Sequence, residues 1–569
     1  MKIKPDNRKV IFTAILISGI LVLAYVVCQF LYTTWDATEE RRYTLTPATK
    51  KLVKSLDDRV YIKVLLDGKF PAGFKRLKES TADILRQFTQ VSKEIEFEFE
   101  DPNRGTIEEI NERRKDLSKK GIMPTQLRVK EGAVASNQYI YPYAVMHYGS
   151  RSLAINLLQD DIPGANQELI LNNSIALLEY KIADGIQKLK QFAPDVVGFT
   201  IGQGELTERQ TASIEKDLRT SHDVRRVNID SVIIIPQIVK VLILAKPLEH
   251  FSDAQLFMLD QYLVNGGKVI FLIDPLNVSI DSINNNKFYI PPIYDLGLDP
   301  LFFKFGARVN PNLVLDLQCT KIPMVVGMQG DKVQTELFPW YYHVLVSSTS
   351  NHPITKGLDR IQLEFPSTVD TIQTATPIRK TFLLESSNNS RTQLTPVRIS
   401  FDILKEEPDL ALFNKSHLGM AVMLEGPYES MFTNRLSEKQ LATLKQAGVE
   451  FKEKGDSAKM LIVTDGDIIR NLVNANTGDI APLGYNKYEN STYTGNRDFL
   501  LNAVEYMLDD RGVLEARTKD IKLRLLNTAK AKQESAKWQL INIVGPLGVI
   551  LVLGIVYQYI RKRKFGRAA

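Results

Sequence analysis

Two long stretches of this chain carry no charge, and between them apolar positions recur with the periods of helices and strands. Residues 10–32 and 541–560 are the uncharged stretches. At a rise of about 1.5 Å per residue, about 20 helical residues cross a hydrocarbon core of about 30 Å, so each stretch predicts a transmembrane helix. Pro546 and Gly548 are tolerated inside such a helix. Trp538, Tyr557 and Tyr559 lie where interfacial aromatics belong, which places the second span at 538–560. The first run is longer than a signal-peptide core, and no small-x-small cleavage site follows it. It reads as an uncleaved anchor.

The interior divides in two. In residues 33–193, Thr46 before Pro47 is an N-cap with proline at the first helical position. A strand over 60–66, a helix over 76–93 and a strand over 95–100 follow. A charged helix over 106–119, extended segments at 126–129, 143–148 and 151–155, and a helix over 166–191 complete the unit. That β-α-β-α-β-β-α order predicts a thioredoxin-like domain, without the Cys-x-x-Cys that redox chemistry needs. Residues 194–513 alternate short buried strands (196–201, 239–245, 268–273, 460–464) with helical runs. The pattern predicts a doubly wound α/β sheet. Residues 300–455 are β-rich and irregular and read as an insertion into that domain. Residues 514–537 are polar and helix-prone and read as a stalk.

Composition alters this picture only at the edges. The chain has 569 residues, 44% hydrophobic and 24% charged, with a formal net charge of +6. The two tails, 1–9 and 561–569, supply much of the excess through Lys2, Lys4, Arg8, Lys9, Arg561, Lys562, Arg563, Lys564 and Arg567. Such charge marks membrane flanks and not a nucleic-acid surface. Two spans put both tails on one side, and short basic tails favour the cytoplasm. The expectation is a bacterial inner-membrane protein with both termini cytoplasmic and the large domain periplasmic. The basic residues of 517–537 oppose it, but a long translocated domain largely escapes that rule.

Candidate chemistry is sparse. There is no Gly-Lys-Ser/Thr phosphate loop, no His-Glu-x-x-His and no Gly-x-Ser-x-Gly elbow. Cys28 falls in the first span, and Cys319 stands alone in the large domain. No catalytic, cofactor or metal residue is expected. Asp274, Asp465 and Asp467 fall at predicted strand C-ends, where α/β sheets bind ligands. Gln203 and Glu205 sit in a Gly202-Gln-Gly-Glu turn after a strand. These five are candidate ligand or partner contacts, set against a plain turn-capping role. Gly545, Gly548 and Gly554 offer small surfaces at which another membrane helix packs closely.

Several motifs, in order along nearly the whole chain, carry a resemblance. They are Arg42-Tyr-Thr-Leu-Thr-Pro, Leu178-Glu-Tyr, Gly202-Gln-Gly-Glu, Asp260-Gln-Tyr-Leu-Val-Asn-Gly-Gly with Asp274-Pro, His352-Pro-Ile-Thr-Lys-Gly, Val463-Thr-Asp-Gly-Asp and Gly495-Asn-Arg-Asp-Phe-Leu-Leu-Asn. The chain resembles the gliding-motility-associated ABC transporter accessory proteins, the GldG family, often labelled substrate-binding. The resemblance implies a Bacteroidota source and a complex with a separate multi-span permease and, through it, a cytoplasmic ATPase. It is compatible with a dimer inside that complex. It also implies a glutamine-amidotransferase-like α/β fold without catalysis, in keeping with the lack of a cysteine at a strand-to-helix elbow. At Gln203 many relatives are expected to carry histidine, which puts a ligand role there in question. The expected function is a non-enzymatic, membrane-anchored periplasmic subunit. The alternative is a free-standing periplasmic receptor for a solute or cell-wall fragment, with the carboxylate-bearing strand ends as its site.

Overall fold

Thr46 starts the helix Pro47–Lys54 as its sequence predicts: its hydroxyl accepts the Thr49 N–H at 3.3 Å. The computed structural model describes residues 44–565 except 69, 132–133, 160–166, 192, 285–287, 330–331, 348–350, 511 and 519–532, together with 16, 18–20 and 23. The first predicted span therefore lies outside the described residues but for those five, which are helical.

In the N-terminal half, β1 (Val60–Val64) buries every second residue, and the helix Ala72–Val91 turns Phe74, Leu77, Leu85 and Phe88 inward. β2 (Ile95–Phe99) pairs parallel to it. β3 (Thr125–Glu131) and β4 (Val134–Ile140) form a separate hairpin. β5 (Tyr143–Tyr148) runs antiparallel to β1, and β6 (Arg151–Asn156) pairs with β5. The sheet order is β2-β1-β5-β6. The segment read at 126–129 is thus extended but stands outside that four-stranded sheet. It has its own partner in β4, which the sequence reading passed over. The helix Gln167–Lys190 closes the unit.

The larger half is a mixed sheet. β7 (Val196–Ile201), β8 (Asp223–Asn228), β9 (Val239–Ala245) and β10 (Lys268–Leu272) are parallel neighbours. The chain then runs through β11 (Ala307–Val309), β12 (Asn312–Asp316), β13 (Cys319–Gln329), β14 (Lys332–Val346), β15 (Ile361–Glu364), β16 (Val369–Thr371), β17 (Arg379–Glu385), β18 (Ser390–Leu394) and β19 (Gly419–Glu429). It returns to the parallel set as β20 (Lys454–Val463), beside β10. The order is β17-β19-β20-β10-β9-β7-β8, with β17 and β19 antiparallel. Alternate residues feed cores on the two faces. Phe199, Ile243, Leu272 and Val463 meet Phe499 and Leu500 on one; Leu242, Phe271 and Ile462 meet Leu259 and Phe302 on the other.

Two boundaries move. β17 and β19 lie inside the stretch read as an insertion over 300–455, yet they pair into the main sheet. Only the small sheets β11-β16, β12-β18 and β13-β14-β15 stand apart from it. Long antiparallel strands added at a sheet edge leave no break in composition to read. The predicted stalk also begins too early. Residues Val513–Thr518 form a 3-10 turn that buries Val513, Leu514 and Ala516, and the Arg517 guanidinium lies 5.2 Å from the Tyr180 ring centroid. Most of the remaining stalk falls outside the described residues. The helix Ser535–Phe565 is a unit by itself. Its portion Ser535–Arg563 is long and apolar enough to cross a membrane, by length and composition.

The two folded halves meet at Lys188. Its ammonium lies 3.0 Å from Asp184 and 2.8 Å from Glu505, whose same oxygen is 3.3 Å from His222 Nε2. Burial pushes the Asp184 carboxyl up to about 6, with Glu505 adding to the rise and Lys188 opposing it. At Glu505 burial is outweighed by Lys188 and His222, which bring it down to about 2. A raised carboxyl contributes stability that is full below its unfolded value of about 4 and is lost as pH rises through the folded value. Glu505 has the opposite sign, and its contribution falls away only as pH drops toward 2. Between about pH 4 and 6 the Asp184 contribution therefore changes most. Asp184→Asn should narrow the Tm difference between those two pH values. An unchanged difference in scanning calorimetry would show that other groups set it.

Candidate functional site

Three parallel strands deliver their C-ends side by side. The Lys246 N–H, just past β9, donates to Leu272 O at 2.9 Å, and the Ile273 N–H, just past β10, donates to Val463 O at 3.0 Å. Asp274, Asp465 and Asp467 follow directly. The sequence reading placed all three at strand ends, and the structure brings them together around a residue it did not single out. Lys246 takes φ 55°, a left-handed backbone few non-glycine residues adopt. Its ammonium reaches Asp274 at 2.8 Å and Asp467 at 2.7 Å. Gly466 permits this approach, because a Cβ there would stand 2.8 Å from Lys246 Cβ. Asp465 binds backbone only: it accepts the Asp467 N–H at 2.8 Å and the Glu364 N–H at 2.7 Å, tying β15 to the end of β20.

The electrostatics follow from burial. Burial alone would lower the Lys246 ammonium, but Asp274 and Asp467 outweigh it and hold it above its ordinary value. Burial raises the Asp274 carboxyl, with Asp467 adding to the rise against Lys246. Asp465 is raised furthest, by burial and then by the charges of Asp274 and Asp467. Arg470 Nε lies 3.0 Å from Asp467 Oδ1, in ion-pair range although outside hydrogen-bond geometry, and its guanidinium is 3.4 Å from Glu364. Among the described residues, no three His, Cys, Asp or Glu side chains are placed to share a metal ion. The cluster is an ion network of two cations, Lys246 and Arg470, among four carboxyl groups.

A cavity of about 350 Å³ opens beside it, lined in part by His343, Gln362, Glu364, Asp467, Arg470 and Asn486. His343 is buried, at 2% exposure, and among the described residues neither ring nitrogen has a hydrogen-bond partner. Sequence reasoning missed His343, Arg470 and Lys246. Lys246, directly after the apolar run 241–245, and Arg470, three residues past Asp467, were the available signals; His343 in an aromatic strand gave none.

Gln203 and Glu205 lie elsewhere, at the end of β7. The Gln203 amide donates to Asp230 at 3.3 Å, the Gln255 amide donates to the same oxygen at 2.6 Å, and Glu205 accepts the Gln203 N–H at 2.7 Å. These bonds close the turn. Among the described residues, none joins this pair to the Asp274 group. Gly545, Gly548 and Gly554 lie on the C-terminal helix Ser535–Phe565. The Cys319 thiol, in β13, is pushed up to about 12 by burial and then by Asp316, which leaves little thiolate at neutral pH. Cys319→Ser should therefore leave abundance and function unchanged. Loss of function at wild-type abundance would place chemistry at this sulfur.

Comparison with known proteins gives the following. The family described as "ABC-type uncharacterized transport system" matches residues 194–503, more than half of the chain. A domain of unknown function matches residues 39–147. An uncharacterized protein of Borreliella burgdorferi is 23% identical over 445 residues, which span 74% of this chain and 78% of that one. Among solved structures, the mmIFT52 N-terminal domain aligns with a TM-score of 0.30 and 13% identity, over 55% of this chain and 97% of that one. So low a score carries no argument.

Proposed function

The chain belongs to the ABC-type uncharacterized transport system family, as an auxiliary component of such a system, and from that premise we propose that it is the membrane-anchored, non-enzymatic periplasmic arm of a transporter complex. The observation that carries the reading is the pairing of this family's domain with a C-terminal helix able to span a membrane. One or two spans without charged faces make a poor translocation path. An ABC machine also needs an ATPase for energy and a multi-span subunit for motion, and this sequence has no phosphate loop. The partners are then a multi-span permease and, through it, a cytoplasmic ATPase, with Gly545, Gly548 and Gly554 as packing points. Both termini are cytoplasmic in this reading.

The finer fold assignments belong here too. The order β2-β1-β5-β6, with one parallel and two antiparallel pairings, supports a thioredoxin-like unit. Five parallel strands with apolar cores on both faces support a doubly wound, amidotransferase-like unit. A role in gliding motility, or in the protein export that serves it, rests on the motif resemblance.

Extraction of native membranes in mild detergent should co-purify a multi-span permease and an ATPase. Gly548→Leu with Gly554→Leu should reduce the recovered permease several-fold while the folded domain keeps its melting curve. Recovery of the protein alone, under several detergents and after cross-linking, would favour the free-standing receptor. Alkaline phosphatase fused after residue 300 should be active, and after residue 569 inactive; the reverse pattern would overturn the periplasmic placement.

A further inference from the structure

His343 is a buried cavity-lining side chain on which the ion network makes no claim. It sits in β14, opposite Glu364 of β15, with its ring edge-on to Phe365 at 5.2 Å between centroids. It is 2% exposed, and among the described residues neither nitrogen has a protein partner. A buried polar group left so is costly unless something else bonds it. Burial also lowers its affinity for a proton, so the ring is neutral at ordinary pH and presents one donor and one acceptor.

The rest of the wall restricts what that something is. Asp467 is held by Lys246 and Arg470. Glu364 accepts from the Gln362 amide at 3.3 Å and pairs with Arg470, while Gln362 in turn accepts from Asn486 at 3.2 Å. Asp281 and Lys487, the other charged residues of the lining, are exposed, so an ionic guest seated at His343 itself would have to break one of the inner pairs and leave a charge uncompensated. An apolar guest would strip water from the imidazole and return no hydrogen bond. A neutral guest rich in groups that both donate and accept fits instead. The hydroxyl is the simplest such group. Tyr485 and Tyr488 add aromatic surface to the same wall. The volume of about 350 Å³ lies at the lower end of small-molecule sites.

We propose that this cavity, beside the C-ends of β9, β10 and β20, is a binding site for an uncharged polyhydroxylated ligand, a saccharide of one or two rings, with His343 as its central polar contact. The site deepens no reading of the transporter assembly. It stands or falls on this domain alone, so loss of the permease partner would leave it untouched.

The test is calorimetric titration of the detergent-solubilised full-length protein with N-acetylglucosamine and cellobiose, against L-glutamate, L-lysine and inorganic phosphate. At least one sugar should bind with Kd below about 1 mM, and the three ions should not bind. His343→Leu should weaken the sugar at least tenfold, and His343→Gln, which keeps a donor and an acceptor, by less than about threefold. Should neither variant melt cooperatively, wild-type protein treated with diethylpyrocarbonate decides. The sugar should then slow modification of His343 at least tenfold and leave the exposed His147 and His250 unaffected. The proposal is overturned if no sugar binds up to 10 mM, in which case ordered water satisfies His343. It is equally overturned if an ion binds in a His343-dependent way, or if the sugar binds His343→Leu as well as wild type.

Discussion

Replacing Lys246 by methionine should lower the unfolding free energy of the large domain by about 3–5 kcal/mol at pH 7.5. The side chains of Lys246, Asp274 and Asp467 are only 14%, 11% and 5% exposed, so water does little to screen what the substitution uncovers. Methionine fills much the same volume, so the loss is electrostatic and not a cavity. It leaves Asp274 against Asp467, with Arg470 as the remaining nearby cation. The sign of the pH dependence follows. Burial already raises Asp274 and Asp465, and without Lys246 the Asp274 carboxyl rises further. A raised carboxyl costs stability as pH climbs through its folded value. The deficit of the variant should therefore shrink from pH 7.5 to pH 5, and Lys246→Met with Asp274→Asn should recover part of it. Urea titration at the two pH values measures all three. A loss under about 1 kcal/mol, or one that grows on acidification, would show that the network is solvated and not buried.

That cluster marks where the sequence could be read and where it could not. Asp274, Asp465 and Asp467 were legible because short apolar runs end at them, and a parallel strand ends where its apolar run does. Lys246 ends a run in the same way, but a lysine after a strand reads as solvated surface until two aspartates are known to face it. Those aspartates lie 28 residues or more away in the chain, and the register of neighbouring strands, not local pattern, brings them together. His343 was hidden for a related reason. Its strand reads Phe338-Pro-Trp-Tyr-Tyr-His-Val-Leu-Val, mostly buried-strand vocabulary, and only the third dimension shows that, among the described residues, no hydrogen-bond partner meets its ring nitrogens. At the level of fold, the parallel strands β7, β9, β10 and β20 were visible as apolar runs of four or more. β8 was not, since Asp223-Val-Arg-Arg-Val-Asn buries only Val224 and Val227 at the sheet edge. β17 and β19 were read into the insertion over 300–455, because antiparallel strands added beside a parallel sheet and insertion strands have the same composition.

The motifs that carried the family resemblance turn out to be largely architectural. Thr464 of Val463-Thr-Asp-Gly-Asp donates its hydroxyl within bonding range of Ser367 O and Met420 O, and Gly495 sits where a Cβ would stand 2.4 Å from Asp359 O. Both hold one chain segment against another. The Asp260-Gln-Tyr-Leu-Val-Asn-Gly-Gly motif does the same on a larger scale. It ends the helix Asp253–Val264, and Asn265-Gly266 close that helix with Gly266 at φ 88°. Tyr262 donates to Val239 O at 3.0 Å, at the start of β9. Gln261 bonds the Lys452 backbone in both directions, at 3.0 and 2.8 Å, just before β20.

Asp260 is the centre of that motif, and Asp260→Ala should cost about 2–4 kcal/mol. The carboxylate is wholly buried and accepts from the Ser430 hydroxyl at 2.6 Å, the Met431 N–H at 2.8 Å and the Gln261 amide at 3.0 Å. Alanine leaves the Met431 backbone donor without an acceptor in the same place, and each such orphan costs about 1–3 kcal/mol. The price of burying the charge offsets part of this, since burial raises the Asp260 carboxyl against the hydrogen bonds from Ser430 and Met431. Asparagine keeps one acceptor oxygen, so Asp260→Asn should cost about half as much. The segment affected is the turn leaving β19, the antiparallel strand that seats the sheet edge against β20. Hydrogen exchange should accordingly rise first at residues 430–432 and 452–453, before the parallel strands. Because the role is scaffolding, the fraction of Asp260→Ala protein that folds should recover the permease as well as wild type does. Should the variant keep its stability and lose the permease, the motif would be a contact surface, and the family signature would mark the partner and not the fold.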